Sequence, residues 1–266
     1  MCDDLPRARA VSERSLTGAA HAKLARSVPS PPRDSRMAFS PLKLLSSMAT
    51  RELLNELVAQ YERSTGQSVI SEAAGGVDVA KRVRAGEAVD VVVLSSTAID
   101  SLIAAGSLLP ESRTDLVRSG VSIAVPAGAA RPDVRSAEAV RRAVLAARTL
   151  SYSTGPSGVY LEKLFERWGI LEQIRSRIVV PPPGVPVGSL IANGTVELGF
   201  QQLSELMTLP GIEVVGPLPP DIQTITVFSG GISSGCARPE PARALLSYFA
   251  SPSVTQIKSR FGMEAA

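Results

Sequence analysis

From Pro41 onward the chain alternates short apolar runs with amphipathic segments, and no other feature of the sequence restricts the fold as strongly. Val89–Leu94 is an apolar run without period-two alternation, as a strand covered on both faces requires. Leu42–Leu45 and Gln67–Ser71 read as strands of the same set. Between them, Leu53, Leu54, Leu57, Val58 and Tyr61 fall on one face of a helix from about Thr50 to Ser64, with Gly66 placed to cap it. Val79, Ala80 and Val83 mark a second helix. A third, from Thr97, turns Ile99, Leu102 and Ile103 inward. Strand–helix repetition at this spacing builds βαβ units around a parallel sheet.

The alternation restarts after Val121–Val125. The spacing predicts a helix over Ser136–Ala147, a strand at Thr149–Ser153, and a helix from Ser157 to Trp168 stopped by Gly169. Strands follow at Ile178–Val180, Glu197–Phe200, Ile212–Val215 and Ile222–Phe228. Helices are expected at Val187–Ala192, Pro239–Ala250 and Ser253–Arg260. So many units exceed one ordinary α/β domain. The expected fold is α/β, with two Rossmann-like lobes of mixed or parallel sheet and a ligand cleft between them. One lobe takes residues 37–120 and 226–266, and the other takes 121–225. The chain is expected to cross between them near Ser119–Ser122 and Thr224–Val227. Residues 1–36 have too few large apolar side chains to pack, and read as a disordered tail or as a start drawn too early, ahead of Met37.

Charge and composition exclude several functions. The chain carries 28 Lys and Arg against 25 Asp and Glu, but residues 1–36 hold seven of the former and four of the latter. The remaining 230 residues therefore hold 21 of each. An electroneutral body does not provide a nucleic-acid groove. The one histidine, His21, and one of the two cysteines, Cys2, lie in the tail. Histidine-dependent hydrolysis and Cys/His zinc sites are thereby excluded from the body, and no metal or cofactor is expected. No apolar run approaches the ~20 residues of a membrane span, and the tail has no apolar core of an export signal. Cys236 reads as a small buried side chain, Trp168 as core, and Tyr152 and Tyr160 as packing residues beside the third turn described next.

In open α/β sheets, ligands bind beyond the carboxyl ends of strands, where helix N-termini direct backbone N–H groups outward. Three such junctions are rich in small and hydroxyl residues. Ser46, Ser47, Ala49 and Thr50 belong to the first, Gly75 and Gly76 to the second, and Ser157 and Gly158 to the third. Each also reads as an ordinary cap or turn. Their recurrence is what points to a neutral, donor-lined pocket for a small anion. Arg51 and Lys81 follow the first two turns, either solvated on outer faces or leaning in to favour a carboxylate or larger anion.

The segments LKLLSSMATRELLNELVAQYERSTGQSVI, AAGGVDVAKRVRAGEAVDVVVLSS and TGPSGVYLEKLFERWG resemble the bacterial molybdate-binding protein family. The resemblance spans Pro41–Gly262. It implies a substrate-binding component of an ABC transporter with the type II periplasmic binding-protein fold, holding a tetrahedral oxyanion through hydroxyls and backbone N–H groups. The implied contacts fall at Ser47 to Ala49, at Gly75-Gly76 where the family has serine, at Ser157, at Gly184-Val185, and at Gln202 where the family has tyrosine. Missing hydroxyls at several of these positions imply a changed ligand, since a polar site rejects ligands that leave its groups unpaired.

The leading expectation is accordingly a monomeric solute-binding protein that closes over molybdate, tungstate or a small di- or tricarboxylate, with an ABC permease as partner. Its location is periplasmic by family, with a cytoplasmic one open for want of an export signal. The alternative is an isomerase of a small unsaturated tricarboxylate, of the aconitate isomerase kind that the resembled family includes. For it, Glu72 and Asp78 are candidate bases, though a surface carboxylate is the preferred reading of each. A transcription-regulator sensor domain is set aside, because the 36-residue tail cannot hold a winged helix-turn-helix of ~60 residues.

Overall fold

The computed structural model describes residues 40–182 and 184–266. The expectations for the tail, its start at Met37, its export signal and Pro183 lie outside these residues. The elements are β1 (Leu42–Ser47), α1 (Arg51–Thr65), β2 (Val69–Ala74), α2 (Gly76–Arg84), β3 (Val91–Ser95), α3 (Ser96–Ala104) and β4 (Thr114–Pro126). Next come α4 (Ala137–Ala146), β5 (Leu150–Tyr152), α5 (Pro156–Arg167), α6 (Leu171–Ile174), α7 (Val187–Ala192), β6 (Leu198–Gln202) and α8 (Leu203–Leu206). β7 (Ile212–Pro217), β8 (Ile225–Ile232), α9 (Pro239–Ala250), α10 (Thr255–Arg260) and β9 (Glu264–Ala265) complete the fold.

The strands form one mixed sheet in the order β2-β1-β3-β8-β4-β6-β5, with β7 and β9 also paired to β4. Pairing is parallel in β1–β2, β1–β3 and β5–β6, while β4 and β8 run antiparallel to every neighbour. Period-two alternation distributes β3 between two cores. Val91 and Val93 pack with Leu53, Leu57 and Phe249, whereas Val92 and Leu94 pack with Val79, Ile99 and Leu102. Helices therefore cover both faces, and all five residues of β3 are buried. In the other half, Val121, Ile123, Leu161 and Phe165 form one core and Ala124, Val187 and Ile191 another.

The two halves share β4. Its residues Thr114–Gly120 pair with β8, and from Val121 the same strand pairs with β6 and β7. The change of partners falls between Gly120 and Val121. Gln223 locks it: its Oε1 accepts from Val121 N at 2.9 Å, and its Nε2 donates to Val121 O at 3.0 Å and Leu218 O at 3.3 Å. Gly120 lies directly beneath, where a Cβ would stand 3.1 Å from the Gln223 amide.

Most expected elements appear within a few residues. Gly66 caps α1 at φ 74°, and the Ser136 Oγ caps α4 by accepting from Ala139 N at 3.2 Å. One expectation fails: Ile178–Val180 is no strand. A single bridge from Ile178 to Leu150 is all that forms, because prolines follow at once and supply no N–H to extend a ladder. Trp168, Tyr152 and Tyr160 pack against the second-half core, and Cys236 is partly buried against the first. Among the described residues no helix is long and apolar enough to cross a membrane. Replacing Gln223 by Met, similar in shape but without the amide, removes the side-chain partner of Val121 N, Thr224 N and Leu218 O, while Val121 O keeps its bond from Leu218 N. A loss of about 2–3 kcal/mol is expected in denaturant unfolding.

Candidate functional site

The carboxyl ends of β1, β2 and β3 on one side, and of β5 and β6 on the other, open on a single cavity of about 860 Å³. A cavity of that size sits within the ~300–1,000 Å³ range of small-molecule sites. Three of the turns singled out in the sequence meet there. Ser47 and Ala49 come from the β1–α1 turn, Gly75 and Gly76 from the β2–α2 turn, and Ser157 from the β5–α5 turn. Val185 and Gln202 also line the cavity.

Three expected site residues lie behind the lining. Ser46 is fully buried on the opposite face of β1, its Oγ directed at Glu72 O 3.5 Å away. Thr50 is buried, and its Oγ1 donates to Ser47 O at 3.1 Å. Gly158 packs under the third turn, where a Cβ would fall 1.6 Å from Ser153 O. That position demands glycine for close approach of α5 to its preceding turn, not for contact with a ligand.

The first and third turns are held by their own hydroxyls. Ser153 and Ser157 share a hydrogen bond of 2.9 Å between their Oγ atoms, and Ser47 Oγ lies 3.4 Å from Thr50 Oγ1. The first-turn N–H groups of α2 at Gly76, Val77 and Asp78 have no acceptor within the helix and belong to residues that line the same cavity; α5 adds only that of Ser157, because Pro156 has none and Gly158 N donates to Gly155 O at 3.0 Å. Chemistry selects the orientation of the Gln202 amide. Its nitrogen donates to Gly120 O at 3.1 Å and Ser119 Oγ at 3.0 Å, while its oxygen accepts from Thr226 Oγ1 at 3.0 Å. Gln202 therefore ties β6 to both crossing strands at the base of the cavity. Beside it, the Ser204 Oγ donates to Ala49 O at 2.8 Å, joining α8 to the turn after β1.

Charge in the lining is sparse. Lys81 and Arg84 of α2 contribute positive groups, with Arg84 steadied by a 2.8 Å bond to Ser101 Oγ, and Asp78 stands on the same helix. Arg51 pairs with its neighbour Glu52 at 2.7 Å and is not part of the lining. Glu72 is exposed and paired with Arg82, which holds its carboxyl below the ordinary range; it is not among the residues that line the cavity.

Sequence reasoning missed a carboxylate. Glu205, on α8, lines the cavity, and burial pushes its carboxyl up to about 7 despite an opposing bond from Gln201 and the nearby charge of Arg51. Gln201 is itself fixed: its Oε1 accepts from Gly188 N at 3.0 Å, which turns Nε2 onto Glu205 Oε1 at 2.8 Å. Missed as well were Ser95 and Thr97 at the β3–α3 junction. The string Leu94-Ser95-Ser96-Thr97 carried the same small hydroxyl signature as the three turns identified. Among the described residues no cluster of three or more His, Cys, Asp or Glu could hold a metal ion.

Two outcomes test this geometry. Gly158→Ala should destabilise the fold by about 1–3 kcal/mol in thermal or denaturant unfolding, because the methyl group enters a backbone carbonyl that cannot yield cheaply. The second concerns pH. A carboxyl at about 7 in the fold and near 4.5 when unfolded favours the protonated form, so it costs stability as pH rises from about 4.5 to 7. Glu205→Gln should therefore melt with the wild-type protein near pH 5 and exceed it at pH 8 by on the order of 2 kcal/mol.

Comparison with known proteins agrees with the architecture. Residues 42–264 match the family model described as bacterial extracellular solute-binding protein. An aconitate isomerase from a Pseudomonas species is 37% identical over 218 residues, covering 79% of this chain and 82% of that protein. Among solved structures, the periplasmic molybdate-binding protein of Azotobacter vinelandii superposes with a TM-score of 0.71 at 20% identity, covering 84% of this chain and 98% of that one. The sulfate-binding protein of Mycobacterium tuberculosis gives 0.68 at 13% identity, over 84% and 86%. At such identities these structures share the fold, and the sequence match carries the kinship. The chain belongs to the bacterial extracellular solute-binding protein family.

Proposed function

We propose that the two halves of the sheet act as lobes closing over a small polycarboxylate, and that the protein isomerises it in the manner of the aconitate isomerase it resembles. The observation that carries this reading is Lys81 and Arg84 on the wall of a cavity otherwise lined by hydroxyls and backbone N–H groups. Neutral donors suffice for one compact oxyanion. An extended anion with several carboxylates spans farther, and cations on the α2 wall meet its outer charges. The identity of 37% to an aconitate isomerase supports the same ligand class.

Closure has an apolar lip to seal. Val77 on one wall, and Val180 and Val185 on the other, are exposed at the cavity mouth. Bringing them together would exclude water from the anion and strengthen each of its hydrogen bonds. The shared β4 strand and the segment entering β8 are the positions about which such closure would turn.

A receptor without turnover is the competing reading, favoured by the membership in a solute-binding family. It would bring in a permease partner and an extracellular or periplasmic location. One set of measurements separates the two. Melting with molybdate, sulfate, citrate and cis- or trans-aconitate should give the largest shift with the tricarboxylates, with ~2.7 kcal/mol of added stability at 100 times the dissociation constant. Lys81→Ala should reduce that shift. Catalytic amounts of protein should then interconvert the two aconitates, followed by ultraviolet absorbance. A shift from molybdate alone, with no interconversion, would leave the receptor.

A further inference from the structure

We propose that the Glu205 carboxyl is the group that carries the proton in an allylic isomerisation of the bound polycarboxylate, a proposal that rests on the isomerase reading above. The geometry is asymmetric. Gln201, oriented by Gly188 N, donates to Oε1, while Oε2 makes no hydrogen bond among the described residues and belongs to a side chain lining the cavity. One oxygen is thus anchored and the other is left to work. Histidine is absent from the body, and Tyr152 and Tyr160 are outside the lining. Asp78, the other acid of the lining, shares α2 with Lys81 and Arg84 and so stands beside fixed positive charge.

Burial holds the Glu205 proton affinity near neutrality, so the carboxylate accepts a proton and surrenders it again at comparable cost. The step balances without a co-reactant. A C–H bond of the substrate methylene breaks, its proton passes to Oε2, and its electron pair spreads over the three-carbon allylic unit into the flanking carboxylates. The O–H bond then breaks as a C–H bond forms at the far carbon of that unit. The double bond has moved, no atom has been gained or lost, and Glu205 is ionised again.

The charged groups in play are Arg51, which acts on Glu205 from the first residue of α1, and Asp78, Lys81 and Arg84 across the cavity on α2. Turnover needs ionised Glu205, so kcat/KM should rise with pH and level off above about 7.

The test uses the full chain with cis- and trans-aconitate in D2O, following isomerisation by ultraviolet absorbance and deuterium entry by proton NMR. Glu205→Gln should lower kcat by ~10²–10⁴-fold and abolish deuterium entry, with KM changed by less than about three-fold. Glu205→Asp should restore part of the rate. The pH profile of the wild-type protein supplies a readout that needs no variant. Turnover by Glu205→Gln within about three-fold of wild type, or a profile flat between pH 5.5 and 8, would overturn the assignment. A wild-type protein that shows neither turnover nor exchange would instead bring down the isomerase reading itself.

Discussion

A single strand carries the hydrogen bonding of both halves of this molecule. β4 pairs with β8 up to Gly120 and with β6 and β7 from Val121, so its backbone sets the distance and angle between two groups of turns. Two glutamine side chains secure the changeover. Gln223 binds it through Val121, and Gln202 through Ser119 and Gly120. Buried amides of this kind are strong only when every donor and acceptor finds its partner. Here they do, which turns a change of pairing partners into a defined junction. The opposed strand ends, and hence the cavity, follow from it.

The electrostatics of the cavity follow from how little charge it contains. An anion enters a low-dielectric site at a cost, and helix-opening N–H groups offset that cost without adding a mobile countercharge. Lys81 and Arg84 add positive charge on one wall only. Against this background a carboxyl enclosed by protein cannot ionise as it would in water, and Glu205 is held close to neutrality for that reason.

Much of the scaffold was legible from residue order, because it rests on local patterns. α7 and α9 have the expected bounds, and the β3 run proved to be buried on both faces. Prolines after Val180 defeated a strand that propensity alone favoured. At the cavity, the hydroxyl-rich turns were readable, but which hydroxyls point inward was not. Ser46 and Ser47 are consecutive on a strand and so face opposite sides, and only the register against β2 determines which of them reaches the ligand. Glu205 had no local signature at all. Its character comes from burial by the fold, which the bond from Gln201 and the charge of Arg51 only partly oppose.

The bond from Ser204 to Ala49 has a directional consequence. It stitches the opposing banks together at one extremity of the gap, immediately beside Glu205. Under the closure proposed above, this bond would hold its own end together while the valine-edged side parts. A guest would enter with its body travelling toward the seam, reaching the acid last and leaving by the route it came.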